Sequence, residues 1–180
     1  LENNYALGEA AFYGDIIKSQ DKTQITFALG SNDIVYGLGQ NVRGMNKRGH
    51  IYEAFCSDDP NHTPDKKSLY GAHNFLIVHG EKNLGIYIDF PGKITYDVGF
   101  TDSNLLDITV EGSDLDIYQF EGSLKEIVNK FRRMIGPSYV PPKWAFCYQQ
   151  CRWSYEDQTK VKAIAGGFDK HDIPVDAIIT

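Results

Sequence analysis

The hydrophobic period of this chain changes near residue 123, and this change constrains the fold more than any other feature. Before it, apolar residues alternate with polar ones, as Ile25, Phe27 and Leu29 do; beyond it, they recur every three to four positions. A period of two is typical of half-buried strands, and a period near 3.6 is typical of amphipathic helices. The sequence therefore predicts a β-rich region followed by a region that contains helices.

Short apolar runs follow one another through the β-rich region. The runs at 75–78 and 84–90, and those at 106–110 and 115–120, are each separated by a turn that contains glycine. We interpret both pairs as β-hairpins, because such turns suit tight reversals of the chain. Several short strands at this spacing predict an antiparallel β-sandwich or barrel.

Residues 41–72 interrupt the strands with a polar stretch that has no hydrophobic period. Such a length is typical of a functional loop, although a disordered surface excursion gives the same pattern. The aromatic residues Tyr52, Phe55 and Tyr70 favour an ordered, packed loop. Asp58 and Asp59 lie within it, and a ligand-binding role fits these carboxylates about as well as a solvent-facing one.

A helix is predicted over 123–136, where Ser123 and Glu126 have the spacing of a capping box and Gly136-Pro137 stops the periodic pattern. Pro141-Pro142 then breaks the chain. Residues 1–140 are therefore predicted to form one domain, a β-sandwich with this helix at its C-terminal end.

Residues 141–180 have the pattern of a single βαβ unit. The apolar runs at 144–148 and 175–179 predict buried strands, and Ser154 predicts the N-cap of the helix between them, with Asp157 in place of the capping-box Glu. The two strands of such a unit are parallel. One helix cannot cover both faces of this pair, so we expect a fragment whose strands associate with the rest of a barrel or with other copies of the chain.

The segment that follows the first buried strand carries Arg152, Trp153 and Tyr155. Ligands of α/β barrels bind where the strands end, and these side chains suit hydrogen bonds and stacking on a polyol. The alternative is that Trp153 packs over the start of the helix while Arg152 pairs with an acid. The residues alone do not decide between the two.

Charge and motif content exclude several functional classes. The chain has 18 Lys and Arg against 24 Asp and Glu, a net charge of −6, so neither nucleic acid nor a membrane is an expected partner. No zinc spacing, HExxH motif or phosphate-binding glycine loop is present, so no metal or cofactor is expected. An odd count of three cysteines favours free thiols in a reducing compartment, which predicts a cytoplasmic protein.

Several stretches together resemble glycoside hydrolase family 31, in the correct order and across nearly the whole chain. They are YGLGQ (36–40), SLYGAHNF (68–75), GIYIDF (85–90), the stretch 115–136, PPKWAFCYQQCRWSY (141–155) and DIPVDAIIT (172–180). The resemblance implies a mainly β fold, a galactose-mutarotase-like antiparallel β-sandwich followed by the first βαβ unit of a (β/α)8 barrel. It also implies a retaining, exo-acting α-glucosidase that hydrolyses terminal α-linked glucose from oligosaccharides. An α-xylosidase or α-glucan lyase on this scaffold, and a stand-alone carbohydrate-binding sandwich, are the alternatives.

The resemblance also assigns roles to residues. Both catalytic aspartates of the family lie on later barrel strands, so none is expected before Thr180. A loop aspartate of the family lines the sugar pocket. Its motif, aromatic-Asn-x-Asp ahead of Leu-Tyr, matches Asp58 best, with Cys56 in place of Asn, and it fits Asp59 if the gap shifts by one. Trp153 falls on an aromatic position at the pocket floor. The expected residues for binding small α-glucosides are Asp58, Asp59, Arg152 and Trp153.

Overall fold

The computed structural model describes residues 12–153 and 155–180. Within them the strands are β1 (Asp15–Lys18), β2 (Thr23–Ala28), β3 (Ile34–Gly39), β4 (His50–Ala54), β5 (Ala72–His79), β6 (Leu84–Asp89), β7 (Ile94–Val98), β8 (Leu105–Val110), β9 (Asp116–Glu121), β10 (Gln149–Cys151) and β11 (Ala177–Ile179). The helices are α1 (Leu124–Ile135) and α2 (Gln158–Lys170). The chain divides into two compact units, Leu1–Ile135 and Gly136–Thr180.

Two antiparallel sheets make up the first unit. One has the strand order β1-β2-β8-β7-β4 and the other the order β3-β5-β6-β9. Apolar side chains from both sheets form one core, and alternation along β2 buries Ile25 and Phe27 while Gln24 faces solvent. The β-sandwich predicted from the period of two is confirmed. The core includes Ile25, Phe27, Val35, Leu76, Ile86, Ile88, Tyr96, Val98, Leu106 and Ile108.

One of the two predicted hairpins is wrong. β5 and β6 pair as an antiparallel hairpin, as expected. β8 and β9 do not pair: β8 lies between β2 and β7 in one sheet, whereas β9 pairs with β6 in the other. The glycine-containing turn at 112–114 therefore carries the chain from one sheet to the other. A turn signal shows that the chain reverses, but strand partners depend on contacts distant in sequence.

The prediction that residues 41–72 lack secondary structure is also wrong in part. β4 lies inside this stretch and pairs with β7, with Tyr52 opposite Tyr96 and Ala54 opposite Ile94. Its residues include His50 and Glu53, so a five-residue strand carries too few apolar positions to show a period. The pairing with β7 forms the strand.

The predicted helix at the end of the first unit is confirmed as α1. The Glu126 N–H donates to Ser123 Oγ over 3.3 Å, and the Ser123 N–H donates to Glu126 Oε2 over 2.8 Å, which is a capping box. The Ser123 N–H and then the Ser123 hydroxyl, both donating to Glu126 Oε2, lower the pKa of the Glu126 carboxyl. Ile127 and Phe131 are buried where α1 contacts β6 and β9. Neither α1 nor α2, the α-helices of the described residues, has the length and apolar character of a membrane crossing.

The second unit is a βαβ unit, as predicted, since β10 and β11 pair in parallel with α2 between them. The details differ. A 3-10 helix, Lys143–Phe146, occupies most of the predicted strand, because the Ala145 N–H bonds back to the Pro142 carbonyl, and β10 begins only at Gln149. α2 begins at Gln158, and its N-cap is Asp157, whose carboxylate accepts the Lys160 N–H at 2.8 Å. Ser154, the predicted N-cap, lies outside the described residues.

Candidate functional site

The segment between β4 and β5, termed here the 55–71 loop, carries both candidate aspartates of the first unit. Its base is closed by backbone hydrogen bonds, from Ser57 N to Leu69 O and from Glu53 N to Lys67 O, each 2.9 Å long. The Ser68 hydroxyl adds a bond to the Phe55 carbonyl, and Leu69 is buried. The loop is therefore ordered, as predicted.

The aromatic residues do not order this loop in the way that the sequence suggested. Tyr52 is buried, but it belongs to β4. Phe55 is exposed, and Tyr70, also exposed, makes an edge-on contact with His62. Hydrogen bonds and charged side chains hold the loop instead.

Asp59 is engaged within the loop. Its carboxylate forms an ion pair with Lys66 and also accepts the Asn61 N–H at 2.9 Å. The hydrogen bond from Lys66, followed by that from the Asn61 backbone, lowers the pKa of Asp59. This carboxylate therefore joins the two limbs of the loop.

Asp58 differs from its neighbour, because its side chain is exposed. Among the described residues no hydrogen bond or ion pair involves its carboxylate, although the backbone on both sides of it is tied down. An exposed carboxylate on a fixed backbone is free to accept hydrogen bonds from a ligand.

Arg43 contacts the same loop, and sequence reasoning missed it. Its guanidinium donates to three backbone carbonyls, those of Ile51, Pro64 and Asp65. It also lies over the ring of Tyr52, 5.3 Å from the centroid. Nothing in the local sequence distinguishes Arg43 from a solvated cation, because its partners are backbone atoms 8 to 22 residues away.

A cleft of about 450 Å³ opens beside the base of the 55–71 loop. The Asn74 amide lies within its wall and donates to the Phe90 carbonyl over 3.2 Å. Aromatic rings and one thiol border the cleft, which suits a small ligand with apolar faces and polar edges. The bordering side chains include Phe55, Cys56, His73, Asn74, Tyr87 and Phe90.

A larger cleft in the same unit, of about 910 Å³, contains none of the predicted site residues. It is lined by the turns at 30–33 and 79–83 and by Tyr13, whose pKa is raised by a hydrogen bond with Glu121. Because volume alone does not identify a site, we assign it no role. Among the described residues no group of His, Cys, Asp and Glu is arranged to hold a metal ion.

The remaining candidates lie in the second unit, directly after β10. Because β10 and β11 are parallel, with Cys151 opposite Ile179, Arg152 and Trp153 follow the edge where both strands end. Trp153 is 96% exposed, so it does not pack over the start of α2 in this unit. Nearby in the sequence, the Tyr148 hydroxyl donates to the Gln150 side-chain carbonyl, and the Gln150 amide donates to the Tyr155 hydroxyl.

Segments of both units match the domain models of one family of enzymes. Residues 7–97 match the glycosyl hydrolase 31 N-terminal galactose mutarotase-like domain, and residues 138–180 match the glycosyl hydrolases family 31 TIM-barrel domain. The sandwich and the parallel βαβ unit are what these two domains require. The chain belongs to glycoside hydrolase family 31.

Relatives and solved structures agree with this assignment. The chain is 34% identical to alpha-glucosidase 2 of Bacillus thermoamyloliquefaciens over 81% of its own length, and 38% identical to human neutral alpha-glucosidase C over 86%. Among solved structures, a family 31 dextranase of Flavobacterium johnsoniae complexed with glucose superposes with a TM-score of 0.79 at 26% identity, over 91% of this chain and 20% of the dextranase. The chain spans 19% and 20% of the two relatives' lengths, about a fifth.

Proposed function

We propose that this chain contributes the N-terminal sandwich and first barrel strands of a retaining, exo-acting α-glucosidase, which releases terminal α-linked glucose from oligosaccharides. In this role it supplies walls of the substrate pocket, and the two catalytic aspartates come from barrel strands after Thr180. A retaining mechanism needs those carboxyl groups about 5–5.5 Å apart, one as nucleophile and one as general acid/base. The names of the relatives, which are α-glucosidases, support this assignment.

The main support for the proposed role of this chain is the contrast between the two neighbouring aspartates of the 55–71 loop. Asp59 is occupied by Lys66 and Asn61, whereas Asp58 is exposed and has no partner among the described residues. A carboxylate that accepts sugar hydroxyls must keep its lone pairs available. This contrast favours Asp58 as the sugar-binding residue and gives Asp59 the task of holding the loop closed.

Arg152 and Trp153 are the proposed contribution of the second unit. Both are exposed after the carboxyl end of β10, the end at which barrel enzymes bind their ligands. A guanidinium can donate to sugar hydroxyls, and an indole can stack on the apolar face of a sugar ring. The exposure of Trp153 supports this role over the packing alternative.

Kinetics of the full-length enzyme with an aryl α-glucoside test the role of Asp58. Loss of a hydrogen-bonded carboxylate costs roughly 1–3 kcal/mol, so Asp58→Ala should raise KM about 5-fold to 140-fold. Asp114→Ala is the matched control, since Asp114 is an exposed aspartate in the turn before β9. If Asp59→Ala raises KM while Asp58→Ala does not, the assignment of the two aspartates is reversed.

Four further measurements separate the alternative functions. Residues 1–180 alone should not hydrolyse the aryl α-glucoside, and turnover above background would contradict the placement of the catalytic aspartates. The aromatic cleft of about 450 Å³ favours a second candidate, a carbohydrate-binding sandwich. Calorimetry of the 180-residue chain with glucose and isomaltose tests it, because a binding module binds sugar without a complete barrel.

The substrate and product of the full-length enzyme test the remaining alternatives. An aryl α-xyloside as the better substrate would identify an α-xylosidase, and an unsaturated sugar product would identify a lyase.

A further inference from the structure

We infer that Arg43 is a positioning residue, which holds the returning limb of the 55–71 loop so that Asp58 keeps a fixed orientation toward the ligand. The inference rests on the proposed function, in which Asp58 binds the terminal sugar. It assigns a task to a side chain that need not touch the substrate.

The geometry of Arg43 is that of a clamp across two segments. Nε donates to the Pro64 carbonyl over 2.6 Å, and Nη2 donates to the Asp65 carbonyl over 3.2 Å. Nη1 donates to the Ile51 carbonyl over 3.1 Å, on strand β4. One planar group therefore joins the returning limb of the loop to the sheet from which the loop departs.

The first of two properties of this contact requires arginine, and the second adds to its strength. The three acceptors are reached by three different nitrogens of the guanidinium, a fork that the single ammonium of lysine cannot reproduce. The guanidinium also lies over the ring of Tyr52, which is buried in β4. Charged donors form stronger hydrogen bonds than neutral ones. Each hydrogen bond from the Arg43 guanidinium is therefore stronger than an ordinary hydrogen bond within a loop.

One ion pair connects the returning limb, which Arg43 fixes, to the departing limb, which carries Asp58. Asp65 is followed by Lys66, and the Lys66 ammonium pairs with Asp59 on the departing limb. Asp59 is in turn held by the Asn61 N–H. With Asp59 held by Lys66 and Asn61 on a backbone tied at Ser57, its neighbour Asp58 is left exposed. Arg43 thus acts on Asp58 through Asp65, Lys66 and Asp59.

Arg48 provides a matched control in the same molecule. Its guanidinium also donates only to backbone carbonyls among the described residues, including Gly30 at 2.6 Å, Asp33 at 3.0 Å and Ser103 at 2.5 Å. None of these acceptors belongs to the 55–71 loop. Arg48→Ala removes a comparable set of bonds and leaves the loop contacts intact.

Hydrogen exchange of the 180-residue chain tests the clamp without any activity. In Arg43→Ala and Arg43→Lys, amides in peptides over 55–69 should exchange roughly tenfold faster or more, given the strength of charge-assisted bonds. Peptides from β2 and β8 should keep their protection, which shows that the sandwich is folded. In Arg48→Ala the 55–69 peptides should exchange as in the parent. Unchanged exchange over 55–69 in both Arg43 variants overturns the inference.

Kinetics of the full-length enzyme test the link to Asp58. If Arg43 acts through Asp58, Arg43→Ala raises KM, and the double variant with Asp58→Ala has about the KM of Asp58→Ala alone. Arg48→Ala leaves KM unchanged. Multiplicative effects in the double variant, or a parental KM in Arg43→Ala, overturn the inference while the proposed function stands. A parental KM in Asp58→Ala overturns the role proposed for Asp58 and the inference with it, whatever hydrogen exchange reports on the clamp.

Discussion

Gly85 of β6 lies against α1, with no room for a side chain between them. A β-carbon built on this glycine of β6 would lie 2.4 Å from Cγ2 of Ile127 and 3.3 Å from Cβ of Phe120. Ile127 is fully buried, so it cannot move aside without disturbing the core. The sequence shows a glycine in a strand, but only the packing of α1 explains it.

We therefore predict that Gly85→Ala destabilises the protein by about 1–3 kcal/mol, the usual cost of overpacking a filled core. Urea unfolding followed by far-UV circular dichroism measures the change. Gly44→Ala is the control, because no atom lies within 4 Å of the added β-carbon there. Equal stability of the Gly85→Ala variant and the parent would show that α1 does not sit on β6 as described.

The residues of the candidate site differ in how far the sequence reveals their roles. Asp58 and Asp59 could be named from the sequence, because the residues around them resemble a family motif. Their different environments could not, since these depend on Lys66 and Asn61 folding back toward Asp59. Arg43 gave no signal for the same reason, as its acceptors are backbone carbonyls brought close by the loop.

At the scale of elements, the sequence predicts local structure better than pairing. The capping box at Ser123 and the β5–β6 hairpin are encoded within a few neighbouring residues, and both were predictable. β4, the β8–β9 crossing and the start of β10 depend on contacts with distant strands or on a competing 3-10 turn, and each was mispredicted. Distant contacts thus override the local pattern where that pattern is short.

The 55–71 loop is the element whose closure we expect to depend on pH. The Lys66 hydrogen bond and then the Asn61 N–H lower the pKa of Asp59, so the folded loop favours the carboxylate. A lowered pKa means that this contribution is complete above the ordinary aspartate pKa. It is lost as the pH falls through the lower folded value, so the loop should loosen only below about pH 4.

Carbon-detected NMR of the Asp59 carboxyl group measures this titration. Lys66→Ala should raise the pKa of Asp59 toward its ordinary value, because the largest cause of the shift is removed. Lys67→Ala is the matched control, since Lys67 is an exposed neighbour whose side chain makes no hydrogen bond or ion pair among the described residues. An Asp59 that titrates alike in the parent and in Lys66→Ala would contradict the ion pair.

At the scale of the whole molecule, the two units differ in how they bury apolar surface. The first has a core between its two sheets, and α1 buries Ile127 and Phe131 where it contacts β6 and β9. The described part of the second, Gly136–Thr180, has two parallel strands, one α-helix and one 3-10 helix, and none of its hydrophobic residues belongs to the buried core. Parallel sheets are ordinarily covered on both faces, so the second unit lacks the layers that its strands need. The sequence predicts a boundary at Pro141-Pro142, whereas the two compact units divide between Ile135 and Gly136.

We accordingly predict that the 180-residue chain associates with itself through the second unit. Its Phe146 and Trp153 are 72% and 96% exposed, and exposed apolar surface of this kind drives association. Sedimentation velocity should show a weight-average mass that rises with concentration, and Phe146→Ser should reduce the rise. Phe100→Ser is the control, because Phe100 is 63% exposed on the first unit, where the core is complete. A monomer at every concentration would mean that the second unit needs no further covering. An equal effect of both substitutions would mean that association does not run specifically through the second unit.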